Sequence, residues 1–280
     1  MSELEALLLG VVQGLTEFLP ISSSGHLIVV PWLQDYTFLE THESFNKTFD
    51  VALHAGTLVA VLAYFRADIA AMSAGFVRSV RKRSIEGSDE RLAWVIVLST
   101  IPAVLVGAAG EDWIDENLGE PWMIAILLIV FGLVLGLADR LPQKLSMGQV
   151  RLRHGIYIGL AQVFSLAPGV SRSGITITAG RYLRFDRDTA ARVSFLMLAP
   201  VTAGAVVYKG YEAATEGLPD GVIGPMIVGT IASAISGYLA IAWLLALVRR
   251  HSYDPFVIYR ILAGVAILTL IATGVRSATF

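Results

Sequence analysis

The chain has 280 residues, 55% of them hydrophobic and only 16% charged, and its mean hydropathy is +0.67. Soluble domains carry about 25% charged residues, so this chain has too few charges to cover a water-facing surface, and we predict an integral membrane protein. The formal net charge of −2 excludes a basic nucleic-acid-binding protein. The absence of cysteine excludes disulfide frameworks, thiolate metal sites and cysteine nucleophiles.

Apolar stretches of about 20 residues, the length needed to cross the hydrocarbon of a bilayer, recur along the chain. Two longer stretches are interrupted by polar segments containing Pro and Gly, and each predicts two half-helices around a break. Because irregular backbone at membrane depth is tolerated only where protein or a watery cavity satisfies it, we interpret both as re-entrant helical hairpins. In chain order, this all-α interpretation predicts a hairpin over about 4–31, spans over 49–65, 92–110 and 122–139, a second hairpin over 155–184, and spans over 189–208, 222–248 and 255–275.

The distribution of Lys and Arg predicts the orientation of these six spans. Basic residues are concentrated in the segments 66–91, 140–154 and 249–254, whereas the segments that alternate with them are acidic. By the positive-inside rule the basic segments are cytoplasmic. Both termini then lie outside, the first hairpin enters from outside, and the second enters from the cytoplasm, so that the hairpins oppose each other.

The two interrupted stretches resemble each other. Four residues of the first recur in the second at one constant offset: Gly10, Gln13, Ser24 and Gly25 match Gly159, Gln162, Ser173 and Gly174. Each copy holds one hairpin and three spans, an odd number of crossings, so the second copy is expected to be inverted, with the binding site at the repeat interface. Chance could also produce four identities in a Gly-rich apolar chain. We predict a single membrane domain over 1–280, with repeats over about 1–140 and 155–275.

The first break carries ionisable and hydroxyl side chains. Glu17 lies four residues after Gln13, on the same helical face, just before the helix-breaking Pro20. Three serines, a glycine and a histidine follow: Ser22, Ser23, Ser24, Gly25 and His26. Hydroxyls and free backbone N–H groups at a helix start suit a phosphate, and the histidine could donate or accept a proton. The alternatives are structural: a carboxylate that caps the break, serine N-caps and a satisfied histidine.

At the second break, Arg172 lies at the start of the following half-helix, flanked by hydroxyl residues. These are Ser171, Ser173 and Thr176, with Gly174 between them. An arginine at membrane depth and at the positive end of a helix requires an anion; a structural salt bridge to Glu17 would also satisfy it. Together the two breaks offer a carboxylate, an imidazole, a guanidinium, hydroxyls and two helix N-termini. This set suits a phosphorylated ligand and phosphoryl chemistry.

Outside the breaks, few polar residues suggest chemistry. Asp50 and His54 form an i, i+4 pair near the start of the first predicted span. They could shape the mouth of a pocket, bind a cation or form an interfacial structural pair. Arg260, near the cytoplasmic end of the last predicted span, could extend its charged head to the membrane interface.

The residues of the two breaks closely resemble one protein family. Residues 14–26 read GLTEFLPISSSGH, residues 168–176 read PGVSRSGIT, and the segment 49–57 is also similar. These motifs resemble the undecaprenyl-pyrophosphate phosphatase family, also called bacitracin-resistance proteins. The resemblance implies a bacterial inner-membrane enzyme that hydrolyses undecaprenyl pyrophosphate to the monophosphate and inorganic phosphate, recycles the lipid carrier of cell-wall synthesis and confers bacitracin resistance. It also implies a site facing the periplasm and a divalent cation, Mg²⁺ or Ca²⁺.

The resemblance also implies roles for individual residues. The family's essential serine, histidine and arginine match Ser23, His26 and Arg172. Its acidic motif falls on Gln13 and Glu17; many members have Glu at the first position, so Glu17 is the remaining carboxylate, expected as metal ligand or base. Ser23 is expected as nucleophile or phosphate ligand. Asp50 is a weaker candidate for the metal. The residues expected to bind the polyprenyl pyrophosphate are Gln13, Ser22, Ser24, Ser171, Ser173, Gly174 and Thr176.

Two other functions compete with this hypothesis. Type-2 phosphatidic acid phosphatases share fragments of the two motifs. That class is rejected because the residues before Ser24 are in the wrong order and no histidine follows Arg172 within the next turns. A transporter or lipid flippase remains open, since inverted repeats suit alternating access, and transport could coexist with hydrolysis.

Overall fold

The computed structural model describes residues 1–36, 43–216, 218–219 and 221–279. Within these ranges the chain forms eleven α-helices and two short 3-10 helices without a β-strand, which confirms the all-α prediction. The first six helices are α1 (Glu3–Phe18), α2 (Ser23–Gln34), α3 (Glu43–Tyr64), α4 (Arg66–Lys82), α5 (Ser88–Asn117) and α6 (Pro121–Asp139). The other five are α7 (Leu152–Gln162), α8 (Arg172–Tyr182), α9 (Arg187–Glu216), α10 (Ile223–Val248) and α11 (Asp254–Ala272).

Five of these helices are long and apolar enough to cross a membrane, which fits a multi-pass membrane protein. They are α5 over Ser88–Gly110, α6 over Pro121–Asp139, α9 over Arg187–Tyr211, α10 over Ile223–Val248 and α11 over Asp254–Ala272. They confirm five of the six predicted spans, because hydropathy alone identifies a long apolar helix.

The sixth predicted span, over 49–65, lies within a pair of helices that meet at a sharp bend. α3 begins earlier, at Glu43, and carries the polar side chains of Lys47, Asp50 and His54. It reaches the apolarity of a span only together with α4, which it meets at a bend of 84°. α4 itself occupies part of the basic segment 66–91, for which the sequence predicts no span. α4 was not predicted because its charged residues keep its hydropathy below that of a membrane span.

Both predicted breaks are present. Between α1 and α2 the backbone leaves the helix at Leu19, and between α7 and α8 it passes through a 3-10 turn over Val163–Leu166. The residue before each second helix is a serine with positive φ, 78° at Ser22 and 74° at Ser171. In both cases the serine hydroxyl accepts a hydrogen bond from the glycine N–H three residues further on. The two breaks therefore end in the same way, at matching serine N-caps of α2 and α8.

The two interrupted stretches also pack in similar ways, α1 against α10 and α7 against α5. A Cβ at Gly10 would lie 2.3 Å from the Gly229 oxygen, and a Cβ at Gly159 would lie 2.7 Å from the Cα of Ser99. These distances leave no room for a side chain, as in other membrane helices that pack through small residues. Close helix packing thus accounts for one of the residue pairs that recur between the two stretches.

The largest buried hydrophobic cluster anchors the end of α1 beside the first break. Phe18 packs edge-on against Phe195 of α9, with ring centroids 5.2 Å apart, and Phe65 lies 6.4 Å from Phe195. At the end of α6, the carboxylate of Asp139 accepts hydrogen bonds from the guanidinium groups of Arg181 in α8 and Arg187 in α9. These contacts fix α1, α6, α8 and α9 relative to one another and thereby hold both breaks in place.

Candidate active site

The two breaks meet and satisfy each other's polar groups. The backbone N–H of Gly169 in the second break donates to the Ser22 hydroxyl in the first at 3.0 Å. In return, the Ser173 hydroxyl donates to the Leu19 carbonyl at 3.0 Å. Buried backbone groups away from water need such partners. The contacts bring the first turns of α2 and α8 to one place.

Arg260 of α11 bonds both breaks at once. Its guanidinium donates to the Pro20 carbonyl at 3.1 Å and to the carbonyls of Gly169 and Val170 at 2.9 and 3.0 Å, and it also bonds two carbonyls of α6. The side chain is fully buried. The extension to the membrane interface that the sequence suggested is therefore not observed: Arg260 points inward and supplies donors that the broken helices lack.

Glu17 lies at the centre of a polar cluster. Its Oε1 accepts a hydrogen bond from Arg172 Nη2 at 2.8 Å, across the two breaks. Its Oε2 accepts from Ser23 Oγ at 2.5 Å and from Gln13 Nε2 at 3.0 Å. The Nε2 atom of His54 lies 3.6 Å from the same oxygen. Side chains from α1, α2, α3 and α8 thus surround one carboxylate, whose side chain is only 5% exposed.

Arg172 pairs with Glu17 while its side chain keeps some exposure. The ion pair considered from the sequence is present, but the Arg172 side chain keeps 15% exposure. Its Nη1 lies 3.5 Å from the Ser194 carbonyl oxygen, and the Ser194 hydroxyl shares a 2.7 Å hydrogen bond with Thr176. Guanidinium groups bind phosphate oxygens through two parallel N–H bonds. Arg172 is therefore suited to bind an anion next to Glu17.

The remaining hydroxyls divide into two groups. Ser22, Ser171 and Ser173 are buried and hold the breaks, as does Gly174, whose N–H donates to the Ser171 hydroxyl at 3.0 Å. Ser24 stays partly exposed, as does Ser23 beside Glu17. Among the serines of the first break, the structure leaves these two for a ligand.

His26 bonds the first break and α11. Its Nδ1 lies 2.6 Å from the Ser22 carbonyl oxygen, and its Nε2 lies 2.6 Å from the Tyr259 hydroxyl, with the two rings stacked. Both ring nitrogens are therefore engaged by these partners, whereas Ser23 bonds Glu17. Sequence reasoning did not identify Tyr259, and its place beside Arg260 in α11 was the one available signal.

The donor set does not fit a resident divalent cation. Among the described residues, no group of three or more Asp, Glu and His side chains is arranged to hold a metal ion. Mg²⁺ and Ca²⁺ prefer six or more oxygen ligands, whereas both oxygens of Glu17 are bonded to protein donors. Asp50, the weaker candidate for the metal, meets this cluster through its backbone: its carbonyl oxygen lies 2.7 Å from His54 Nδ1.

Over nearly its whole length the chain is similar to known proteins of one family. The family model described as bacitracin resistance protein BacA matches residues 6–266, a range that contains both breaks. The undecaprenyl-diphosphatase of Pelobacter propionicus is 47% identical over 277 residues, which cover 98% of this chain and 99% of that protein. That of Geobacter sulfurreducens is 49% identical over 270 residues, covering 96% and 98%. The chain therefore belongs to the bacitracin resistance protein BacA family.

Proposed function

We propose that the protein is a membrane phosphatase that hydrolyses undecaprenyl pyrophosphate to undecaprenyl phosphate and inorganic phosphate. This reaction recycles the lipid carrier of cell-wall synthesis and confers bacitracin resistance. The observation that carries the proposal is the cluster in which Arg172, Ser23 and Glu17 meet across the two breaks. The names of the matched relatives support the same activity.

Ser23, Glu17 and Arg172 each have one role in the phosphoryl transfer. Ser23 Oγ attacks the terminal phosphorus while its proton passes to Glu17 Oε2, to which it is already bonded. The bond from phosphorus to the bridging oxygen breaks, and undecaprenyl phosphate leaves with the electron pair. Once Glu17 has given up this proton, it acts as base for the water that attacks the phosphoserine; the bond between phosphorus and Ser23 Oγ breaks, Ser23 regains a proton and inorganic phosphate leaves. Arg172 stabilises the charge that develops on the phosphoryl oxygens.

The neighbouring residues shape the phosphate subsite. The hydroxyls of Ser24 and Thr176 and the first turns of α2 and α8 favour an anion, while Gln13 holds the carboxylate of Glu17. The residues Ser22, Ser171, Ser173 and Gly174 keep the two breaks together. The proton-transfer role of His26 remains a prediction; its bond to the Ser22 carbonyl also positions the serine segment.

The implied divalent cation enters as part of the substrate in this proposal. Pyrophosphate oxygens bind Mg²⁺ or Ca²⁺ readily, whereas Glu17 is already paired with Arg172. We therefore assign neither Glu17 nor Asp50 as a ligand of a resident metal. The cation is then a counter-ion of the lipid pyrophosphate, and the reaction steps above rely on the residues of this chain.

The architecture that supports the proposal is an inverted repeat of about 1–140 and 155–275. The matching serine conformations at the two breaks and the matching glycine contacts of α1 and α7 favour it. We propose that both broken segments are opposed re-entrant hairpins and that α3 completes six spans. The distribution of basic residues favours a site facing the periplasm of a bacterial inner membrane.

The test is phosphate release by detergent-solubilised protein, where transport is not possible. Arg172→Lys keeps the positive charge but loses the paired N–H donors of the guanidinium. Removal of one such electrostatic stabiliser lowers the rate by about 10²–10³-fold. Arg192→Lys is the matched control, since Arg192 also pairs with a carboxylate, that of Asp188, outside the site. We expect Arg172→Lys to melt like the wild type with its activity lost. If activity and melting temperature fell in proportion, Arg172 would be a structural residue.

A further inference from the structure

The imidazole of His54 faces the proposed base with a fixed tautomer. Its Nδ1 lies 2.7 Å from the Asp50 carbonyl oxygen, which can only accept, so Nδ1 carries the proton of the neutral ring. The lone pair is then on Nε2, which lies 3.6 Å from Glu17 Oε2. That oxygen is the one to which Ser23 donates. A proton acceptor therefore lies next to the carboxylate oxygen that Ser23 contacts.

Within the described part of the chain, charged groups approach His54 from α1, α3 and α8. Glu17 approaches from α1, Asp50 lies one turn earlier on the same helix, and Arg172 of α8 bonds the other oxygen of Glu17. α10 contributes the hydroxyls of Thr230 and Ser233 to α3, and Arg192 of α9 lies over the ring of Phe65, just past the end of α3. The two hydroxyls bond carbonyls of α3 immediately before His54 and so hold the backbone that carries its side chain.

We propose that His54 is the residue that takes the proton of Ser23 from Glu17. The inference rests on the proposed phosphatase function. As the bond between Ser23 Oγ and phosphorus forms, the hydroxyl proton moves to Glu17 Oε2 and then to His54 Nε2, while undecaprenyl phosphate leaves with the electron pair of the broken bond. Glu17 is thereby returned to its charged form before water attacks the phosphoserine. Catalytic hydrogen bonds are often longer before substrate binds, and closing 3.6 Å to a hydrogen bond of about 2.9 Å takes less than 1 Å.

Gln13 makes this role of His54 testable by rescue. Gln13 Nε2 donates to the same oxygen of Glu17, and an amide does not take up a proton near neutral pH. A glutamate at position 13 would place a second proton acceptor at that oxygen. Gln13→Glu should therefore compensate for the loss of His54, whereas a merely structural role of His54 would not respond to it.

The experiment compares purified, detergent-solubilised variants with undecaprenyl pyrophosphate as the probe. His54→Gln should lower kcat by about 10²–10⁴-fold, the usual contribution of positioned proton transfer, with KM little changed and the melting temperature retained. Gln13→Glu combined with His54→Gln should recover at least tenfold of the lost kcat. The control His154→Gln changes another buried histidine, whose Nδ1 accepts a bond from the Arg151 N–H, and should leave kcat unchanged.

The outcomes separate this inference from the proposed function. A wild-type kcat in His54→Gln, with Glu17→Gln inactive, would overturn the inference and leave the function intact. Normal turnover by Glu17→Gln would instead overturn the proposed mechanism. If His54→Gln folds poorly, His54→Asn and the double variant are measured per folded molecule, and a normal rate per folded molecule would also refute a proton role.

Discussion

The ion pair between Arg172 and Glu17 gives a prediction in which folding and catalysis separate. Each residue comes from a different break, and the two side chains are 15% and 5% exposed. Arg172→Met removes the guanidinium at similar length, and Glu17→Gln removes the charge of the carboxylate at the same size. We compare the two single variants with the double variant, Glu17→Gln combined with Arg172→Met.

The magnitude follows from the burial of the pair. Breaking a buried ion pair by removing one partner costs about 3–5 kcal/mol, because the other charge remains unpaired. Glu17 keeps the donors Ser23 and Gln13 when Arg172 is removed, so we expect about 3 kcal/mol, the lower end of that range, for Arg172→Met. Removing both charges together leaves no unpaired ion, so the double variant should regain most of this stability. Its catalytic groups are nevertheless gone.

The assay records melting temperature and phosphate release on the same purified sample of each variant. We expect both single variants to be destabilised and inactive, and the double variant to be close to the wild type in stability but still inactive. Recovery of phosphate release together with stability in the double variant would refute the assignment. In that case the pair would serve only to join the two breaks.

Three further predictions concern topology and packing. Cysteines at Gly87 and Gly148 should resist an impermeant thiol reagent in intact cells, and one at Asn117 should react; the reverse pattern would invert the proposed orientation. Arg260→Met should lower the melting temperature, because each buried carbonyl left without a donor costs about 1–3 kcal/mol, and an unchanged melting curve would contradict its bonds to both breaks. Gly10→Val should prevent folding. Gly204→Ala, whose added Cβ would meet no atom within 4 Å, should melt like the wild type. Equal melting temperatures for the two variants would refute the close contact at Gly10.

Hydropathy sufficed for the parts of the fold that depend on apolar length. The spans α5, α6, α9, α10 and α11 were predictable because each is a long apolar helix. The breaks were predictable from Pro20 and from the run of serines and glycines. α4 was not, since Arg78, Arg81 and Lys82 make its hydropathy resemble that of a loop.

The candidate site was predictable residue by residue but not in its contacts. The sequence identified Glu17 and Arg172, and suggested their ion pair, because charges at membrane depth need partners. It did not identify the approach of His54 to Glu17 or the inward direction of Arg260, since both depend on how α3 and α11 pack against the breaks. No local pattern encodes these long-range contacts.

The central claim is that the cluster of Ser23, Glu17 and Arg172 is the reaction centre, and Ser23→Ala tests it most directly. The measurement is phosphate release from undecaprenyl pyrophosphate by the detergent-solubilised variant, with Ser165→Ala as a control, because Ser165 bonds a carbonyl of its own turn. We predict background release from a folded Ser23→Ala protein and wild-type release from the control. Normal release by Ser23→Ala would contradict the account.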